Sequence, residues 1–394
     1  MSGAEMANDK GVLVFGRLGR FGRFARPLKS PLLWVCLALL CWGAVMVSAV
    51  TTQHTSGYFA NVPPDYDVLQ QGVWIALSLL VAVAVFHAPM HWWERNALWL
   101  AAGTVLLLAA TLLGPKITGA RRWIALGSLR VQPSELAKLV VVLFAASRLA
   151  RLPQAGSWRV VAPILALVAM VGALLLAQPD TGAFAVVMAV ALCLMYLGGV
   201  KARVVLLVAA LLAVCVAMFW GSEYQRWRMF TFLDPWSDAV GAGYQLSTAL
   251  IAIGRGEMFG VGLGNGIGTL HLPEAHNSFL LAAIGEAFGL MGIACLALVF
   301  SWLAWRLIMG IGWRAIAQGR VFAGLLAQGM GVWLALQAFF HMGVNLGVLP
   351  TNGFALPFMS YGASSIMANM VAIALVLRVE AENQELMHVE KERP

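Results

Sequence analysis

Glu135 and Lys138 stand three residues apart in Gln132-Pro133-Ser134-Glu135-Leu136-Ala137-Lys138, at the start of a long apolar run. The spacing puts both on one helical face, and Pro133 suits a helix start, with Ser134 near the cap. Such a pair is either an internal ion pair with Lys138 snorkelling outward or the charged wall of a cavity. Gly119-Ala120-Arg121-Arg122-Trp123 is a cationic segment, suited to anchoring in lipid headgroups or to clamping an anion, since guanidinium donors match phosphate oxygens. Glu274 and His276, in Leu272-Pro273-Glu274-Ala275-His276-Asn277-Ser278, place a carboxylate and an imidazole two residues apart. That arrangement serves acid–base chemistry, and it equally serves a polar loop. Gln178-Pro179-Asp180-Thr181-Gly182 has the composition of a tight turn. Asn345, Thr351, Asn352, Ser360, Tyr361, Ser364 and Ser365 gather around the steps Leu349-Pro350 and Leu356-Pro357. This is the pattern of a broken or re-entrant helix whose polar groups line a cavity or bond between helices. Gly260, Gly262, Gly264, Gly266 and Gly268 alternate and superficially resemble a dinucleotide loop. No βαβ unit precedes them, so closely approached or re-entrant backbone is the better reading.

The elements that must position these residues are membrane helices. The chain has 394 residues, 61% hydrophobic and 11% charged, with mean hydropathy +0.81. Soluble domains carry roughly 25% charge. A soluble enzyme, a disordered chain and a nucleic-acid binder are excluded. The five cysteines lie in apolar stretches without a CxxC pair, so no zinc site or disulfide framework is indicated. Ten segments suit crossing: 32–50, 72–89, 96–113, 134–150, 159–177, 183–198, 202–220, 279–308, 322–345 and 355–378. The fourth is the weakest, because it holds Glu135, Lys138 and Arg148. The first follows a long basic leader and reads as a retained anchor rather than a cleaved signal. The expected fold is thus an all-α polytopic membrane protein with about ten transmembrane helices. A basic cytoplasmic tail spans 1–31, the membrane domain 32–378 and a second tail 379–394; one long exoplasmic loop occupies 221–278, before the eighth helix. Eighteen basic residues fall in the two tails and alternate loops against seven in the opposite loops, which places both termini in the cytoplasm.

Seven segments in order, GARRWIALG (119–127), QPSELAK (132–138), QPDTGA (178–183), FLDPW (232–236), GYQLSTALIAIGRGEMFGVGLGNG (243–266), LPEAH (272–276) and LPTNGFALPFMSYGASS (349–365), resemble the SEDS family of shape, elongation, division and sporulation proteins. The resemblance runs from about residue 30 to residue 380. Ala275 and the Thr351–Phe358 run are more similar to its division branch than to its elongation branch.

The resemblance implies a ten-span peptidoglycan glycosyltransferase of the bacterial inner membrane, working at the division septum. It would polymerise lipid II into glycan strands, with undecaprenyl pyrophosphate leaving. Implied partners are lipid II, a class b penicillin-binding protein (an FtsI-like transpeptidase) and other divisome membrane proteins, with no nucleic acid. A divalent cation, Mg or Mn, could assist the pyrophosphate, although no metal-ligand spacing demands one. Implied catalytic positions are Ser278, Glu274 and Lys138. Implied substrate contacts are Arg121, Arg122, Trp123, Gln132, Ser134, Glu135, Gln178, Asp180, Arg228, Tyr244, Gln245, Arg255, His276, Ser360, Tyr361, Ser364 and Ser365. Ser278 stands where the family carries the Asp presumed to be catalytic, and an unassisted hydroxyl is a far weaker base than a carboxylate. Two further readings therefore accompany the polymerase. One is a weak or inactive scaffold that binds lipid II and its partner. The other is a lipid II flippase, ranked third because the polar cluster sits at the outer end of the spans rather than the midplane.

Overall fold

The computed structural model describes residues 27–55, 65–114, 121–126, 129–151, 158–219, 231–241 and 243–391. The basic leader 1–26, Lys116, Gly119, Ala120, Arg226 and Arg228 lie outside the described residues. The chain is almost entirely helical. Its long helices are α1 (Pro31–Thr55), α2 (Asp65–His87), α3 (Met90–Thr111), α4 (Pro133–Leu149), α5 (Trp158–Ala177), α6 (Thr181–Leu197), α7 (Ala202–Phe219), α8 (Tyr244–Arg255), α9 (Leu280–Trp305), α10 (Val321–Asn345) and α11 (Ala363–Lys391). A small antiparallel hairpin of β1 (Ile124–Leu126) and β2 (Leu129–Val131) pairs Ile124 with Val131 and leads into α4. Helix α9 runs on through a π-helical stretch (Arg306–Gly312) and a short helix (Trp313–Ala317). Six helices among the described residues are long and apolar enough to cross a membrane. A helix lies at each of the ten expected positions, with bounds that shift most at α2, α3 and the last helix. The last helix begins at Ala363 rather than 355, because residues 346–362 leave the helical path around Pro350 and Pro357.

Helices α4, α6, α10 and α11 form the centre of the bundle, and α4 packs on α3, α6 and α10. All but Leu136 and Arg148 of α4 are buried. The span that looks weakest by hydropathy is therefore an interior helix, whose charges face protein instead of lipid. Small residues set its spacing: a Cβ on Gly329 of α10 would press on Val142 of α4 at 2.5 Å.

The glycine run packs its backbone closely against a break in α9. Gly289 has φ 67° and breaks α9 ten residues in, about 13 Å along the helix from its start. The freed backbone groups are paired by the incoming loop. Leu290 and Met291 N–H donate to the Glu257 and Met258 carbonyls at 2.9 and 3.1 Å. Val261 and Gly262 N–H donate to the Glu286 and Ala287 carbonyls at 2.9 and 3.1 Å. A broken helix at membrane depth survives where protein satisfies its backbone in this way. The approach requires glycine: a Cβ on Gly289 would lie 2.5 Å from the Met258 carbonyl carbon, and Gly260, at φ +84°, would overlap Ala287.

The opposite end of the bundle carries a charge network. Glu380 pairs with Arg306 and accepts from Ser30 Oγ at 2.6 Å. Glu382 pairs with Arg320 and, at 2.8 Å, with Arg378. Asn383 donates to the Ile311 carbonyl of the π-helical stretch at 3.2 Å. The segment from 379 onward, expected as a tail, is helix to Lys391 and is buried against the bundle at Glu380 and Asn383. Arg306, Arg320 and Arg378, counted above as orientation charges, are paired there with Glu380 and Glu382.

At the other end α1 meets the turn before α11. A Cβ on Gly43 would come within 2.6 Å of the Met359 carbonyl oxygen. We expect Gly43→Leu to lower stability by about 1–3 kcal/mol through overpacking, read as a fall in the unfolding midpoint in detergent. An unchanged midpoint would show that α1 is free to move away.

Candidate functional site

One face of α10 organises the site. Trp333, Gln337, His341 and Asn345 repeat every four residues, so they form one seam along the helix, and each is 0–1% exposed. Their spacing spans about 18 Å. At the inner end Gln337 Oε1 accepts from both Lys138 Nζ and Trp333 Nε1, each at 2.8 Å. Lys138 also pairs with Glu135 at 2.8 Å and lies 5.7 Å from the centre of the Trp333 ring. Lys138 is 3% exposed and bonded to Glu135, so the ion pair of the first reading is present but its snorkelling is not: the ammonium is buried between α4 and α10. Glu135 Oε2 is buried without a hydrogen-bond partner. A carboxylate with one free oxygen beside an ammonium is a site able to accept a donor and to oppose negative charge.

At the outer end Asn345 ties three segments. Its amide donates to the Ser278 carbonyl at 3.0 Å and the His341 carbonyl at 2.8 Å, while its oxygen accepts from Ala282 N–H at 3.1 Å. The loop 272–279 is thereby clamped to α10. Residues 353–355 run beside the same seam: His341 Nδ1 lies 2.8 Å from the Phe354 carbonyl, and Gln337 Nε2 donates to the Ala355 carbonyl at 3.0 Å. A Cβ on Gly353 would lie 3.7 Å from Ser278 Oγ. The loop thus meets this segment at Gly353, and Lys138 is linked to it at Ala355 through Gln337.

Other predicted residues surround this seam. Ser360 Oγ donates to the Asn277 carbonyl at 2.8 Å and accepts from Leu356 N–H. Tyr361 N–H donates to the His276 carbonyl at 2.9 Å, its ring meets His276 edge-on, and its hydroxyl reaches Gln70 at 2.7 Å. Ser364 Oγ accepts from Gln132 N–H at 2.9 Å, and Ser365 Oγ from Asn369. The Gln132 side chain donates to Ser134 Oγ at 3.0 Å and to Asp180 at 3.4 Å. Asp180 caps α6 through Ala183 N–H, and Gln178 donates to the Leu108 carbonyl at 2.8 Å. Arg122 binds the Gln178 and Pro179 carbonyls, and Arg121 the Leu112 carbonyl. These two guanidiniums, expected as an anion clamp, are partly spent on holding turns, yet each retains further N–H donors. Trp123 is half-buried beside them.

Glu274 is exposed at the lip, with φ 59°, and accepts from Asn277 at 3.2 Å. Tyr244 donates to the His271 carbonyl at 2.8 Å, and Gln245 follows it on α8. Arg255, expected as a substrate contact, lies 3.7 Å from the wholly buried Glu286 carboxylate. Glu286 in turn accepts from Gly268 N–H at 2.8 Å, Thr269 N–H at 2.7 Å and the Thr269 hydroxyl. Arg228 lies outside the described residues.

Sequence reasoning missed Trp333, Gln337, His341 and Glu286. The signal for the first three was the four-residue repeat of polar groups through an apolar helix. Among the described residues no three His, Cys, Asp or Glu side chains come together to hold an ion.

The geometry can be set beside known proteins. The profile of a family described as "Cell cycle protein", covering FtsW, RodA and SpoVE, matches residues 30–385. A relative from Aromatoleum aromaticum, named "Probable peptidoglycan glycosyltransferase FtsW", is 44% identical over 379 residues, covering 94% of this chain and 92% of its own. One of the same name from Allochromatium vinosum is 42% identical and covers 91% of each. Among solved structures, the chain is similar to one from a study of polymerization and crosslinking by a peptidoglycan synthase complex. That match has TM-score 0.71 and 29% identity, covering 89% of this chain and 97% of that one. It is also similar to the rod shape determining protein RodA of Thermus thermophilus, with TM-score 0.65 and 28% identity, covering 89% and 96%.

Proposed function

We infer the reaction from one premise: the chain belongs to the FtsW–RodA–SpoVE family of cell cycle proteins, the SEDS family. It is a multi-pass membrane protein and a peptidoglycan glycosyltransferase. Our proposal goes further in naming lipid II as substrate, the outer face of the bacterial cytoplasmic membrane as the place, and the division septum as the setting. A class b penicillin-binding protein is the proposed partner, supported by the likeness to a peptidoglycan synthase complex. Both termini then lie in the cytoplasm.

The observation that carries the reading is the α10 seam. It joins the loop 272–279 at the outer end to the Lys138–Glu135 pair inside the bundle. A lipid-linked sugar needs such a site, with its reacting groups at the surface and its tail beside the helices. The acceptor hydroxyl oxygen forms a bond to the anomeric carbon of the donor. The carbon–oxygen bond to the pyrophosphate breaks, and undecaprenyl pyrophosphate leaves with that electron pair. The hydroxyl proton passes to a base of the protein. Two side chains of the loop can meet that hydroxyl: the exposed Glu274 carboxylate and Ser278 Oγ. Positive charge for the leaving group comes from Lys138 and from the remaining donors of Arg121 and Arg122. A divalent cation, Mg or Mn, would add positive charge opposite the departing pyrophosphate.

The test is polymerisation of labelled lipid II by the purified protein with its class b partner, wild type beside Ser278→Asp. Glycan strands from wild type are expected. Strands from Ser278→Asp alone would mean a scaffold, the second reading, which the serine at this position favours. Lipid II binding without strands from either variant would overturn the polymerase reading.

A further inference from the structure

His341 is the one titratable group among the four seam residues of α10, and the reaction above does not use it. It lies on the seam between Asn345, which holds Ser278, and Gln337, which holds Lys138. Its side chain is fully buried. Nδ1 is 2.8 Å from the Phe354 carbonyl oxygen. A carbonyl only accepts, so Nδ1 carries the proton, and the neutral ring has its lone pair on Nε2. Nε2 is buried and has no hydrogen-bond partner. An imidazole whose tautomer is set by a backbone carbonyl and whose acceptor nitrogen is left open is an oriented base.

Ser278 Oγ is the hydroxyl of the clamped loop that needs one. It is 8% exposed, lies beside Gly353, the neighbour of Phe354, and makes no hydrogen bond among the described side chains. Asn345 bonds the backbones of both residues, so neither shifts without the other. Two unpaired polar groups on one clamped wall suit a bridging water.

Resting on the glycosyltransferase reading, we propose that His341 is the positioning base behind Ser278. As the acceptor oxygen bonds to the anomeric carbon, its proton moves to Ser278 Oγ. The Ser278 proton moves, through one water, to His341 Nε2. Once undecaprenyl pyrophosphate has left, the imidazolium gives this proton up through the same water to solvent, so one proton is released per bond formed and no other reactant is required.

His341→Asn tests this with little disturbance, because the asparagine amide can replace Nδ1–H toward the Phe354 carbonyl while removing Nε2. Lipid II polymerisation with the class b partner is measured for wild type, His341→Asn, Glu274→Ala and the double variant His341→Asn/Ser278→Asp. We expect kcat to fall about 100-fold or more in His341→Asn with KM within about twofold, the scale of a lost general base. The double variant should recover most of the rate, since a carboxylate at 278 needs no base behind it. A loss that Ser278→Asp does not restore, or that appears mainly in KM, would mean a packing role and would overturn the assignment. Wild-type rates in His341→Asn, with loss in Glu274→Ala, would move the base to Glu274 and leave the enzyme reading standing. A wild type that makes no strands would overturn both.

Discussion

Lys138→Met should destabilise the protein by about 3–5 kcal/mol and abolish polymerisation. Lys138 is 3% exposed and paired at 2.8 Å with Glu135, one oxygen of which already lacks a partner. Removing the ammonium strands a buried carboxylate, and breaking one side of such a pair costs far more than replacing both. It also leaves Gln337 Oε1 with Trp333 Nε1 alone. The double variant Lys138→Met/Glu135→Gln separates the two effects. It should regain most of the stability, because no unpaired charge remains, yet stay inactive, because the leaving pyrophosphate loses its buried cation. The readouts are the unfolding midpoint in detergent and strand formation from lipid II. An active double variant would place the pyrophosphate elsewhere.

The second large effect is expected at Glu286, a residue that touches no substrate in the mechanism above. Its carboxylate is wholly buried, collects three donors from Gly268 and Thr269, and faces Arg255 at 3.7 Å. Each unmet buried donor costs about 1–3 kcal/mol. Glu286→Ala should therefore cost about 3 kcal/mol or more and release the segment that leads into the loop 272–279. Glu286→Gln should be milder, since one amide oxygen still accepts. Limited proteolysis between residues 256 and 272 is the direct readout: faster cleavage in Glu286→Ala, intermediate in Glu286→Gln. Equal cleavage in all three would show that the backbone pairing of the loop with Glu286–Met291 suffices without the carboxylate.

Much of the molecule was legible in the sequence, because its main signals are local. Apolar runs of membrane length follow from the need to satisfy backbone groups inside lipid, so the helices appear close to their expected bounds. Pro350 and Pro357 announce the break before α11, since proline cannot continue a helix without losing a bond. The alternating glycines announce close backbone contact, as observed at Gly260. The ordered motifs, once matched, also indicated the family and its chemistry.

What only the tertiary structure decided is partnership across long sequence distance. Nothing local tells that Lys138 meets Gln337, that Asn345 holds Ser278, or that Glu286 receives Gly268 and Thr269. Each bond satisfies a buried polar group, and which group is near depends on how helices pack. The same holds for charges counted one by one. Arg255 and Arg122 read as substrate contacts in the sequence; in the fold one faces a buried carboxylate and the other braces a turn. Helix α4 reads as the poorest membrane span and proves an interior helix, because hydropathy measures composition, whereas burial depends on neighbours. His341 shows the difference most sharply. By sequence it is one histidine in an apolar helix; the Phe354 carbonyl sets its tautomer and leaves a lone pair beside the site.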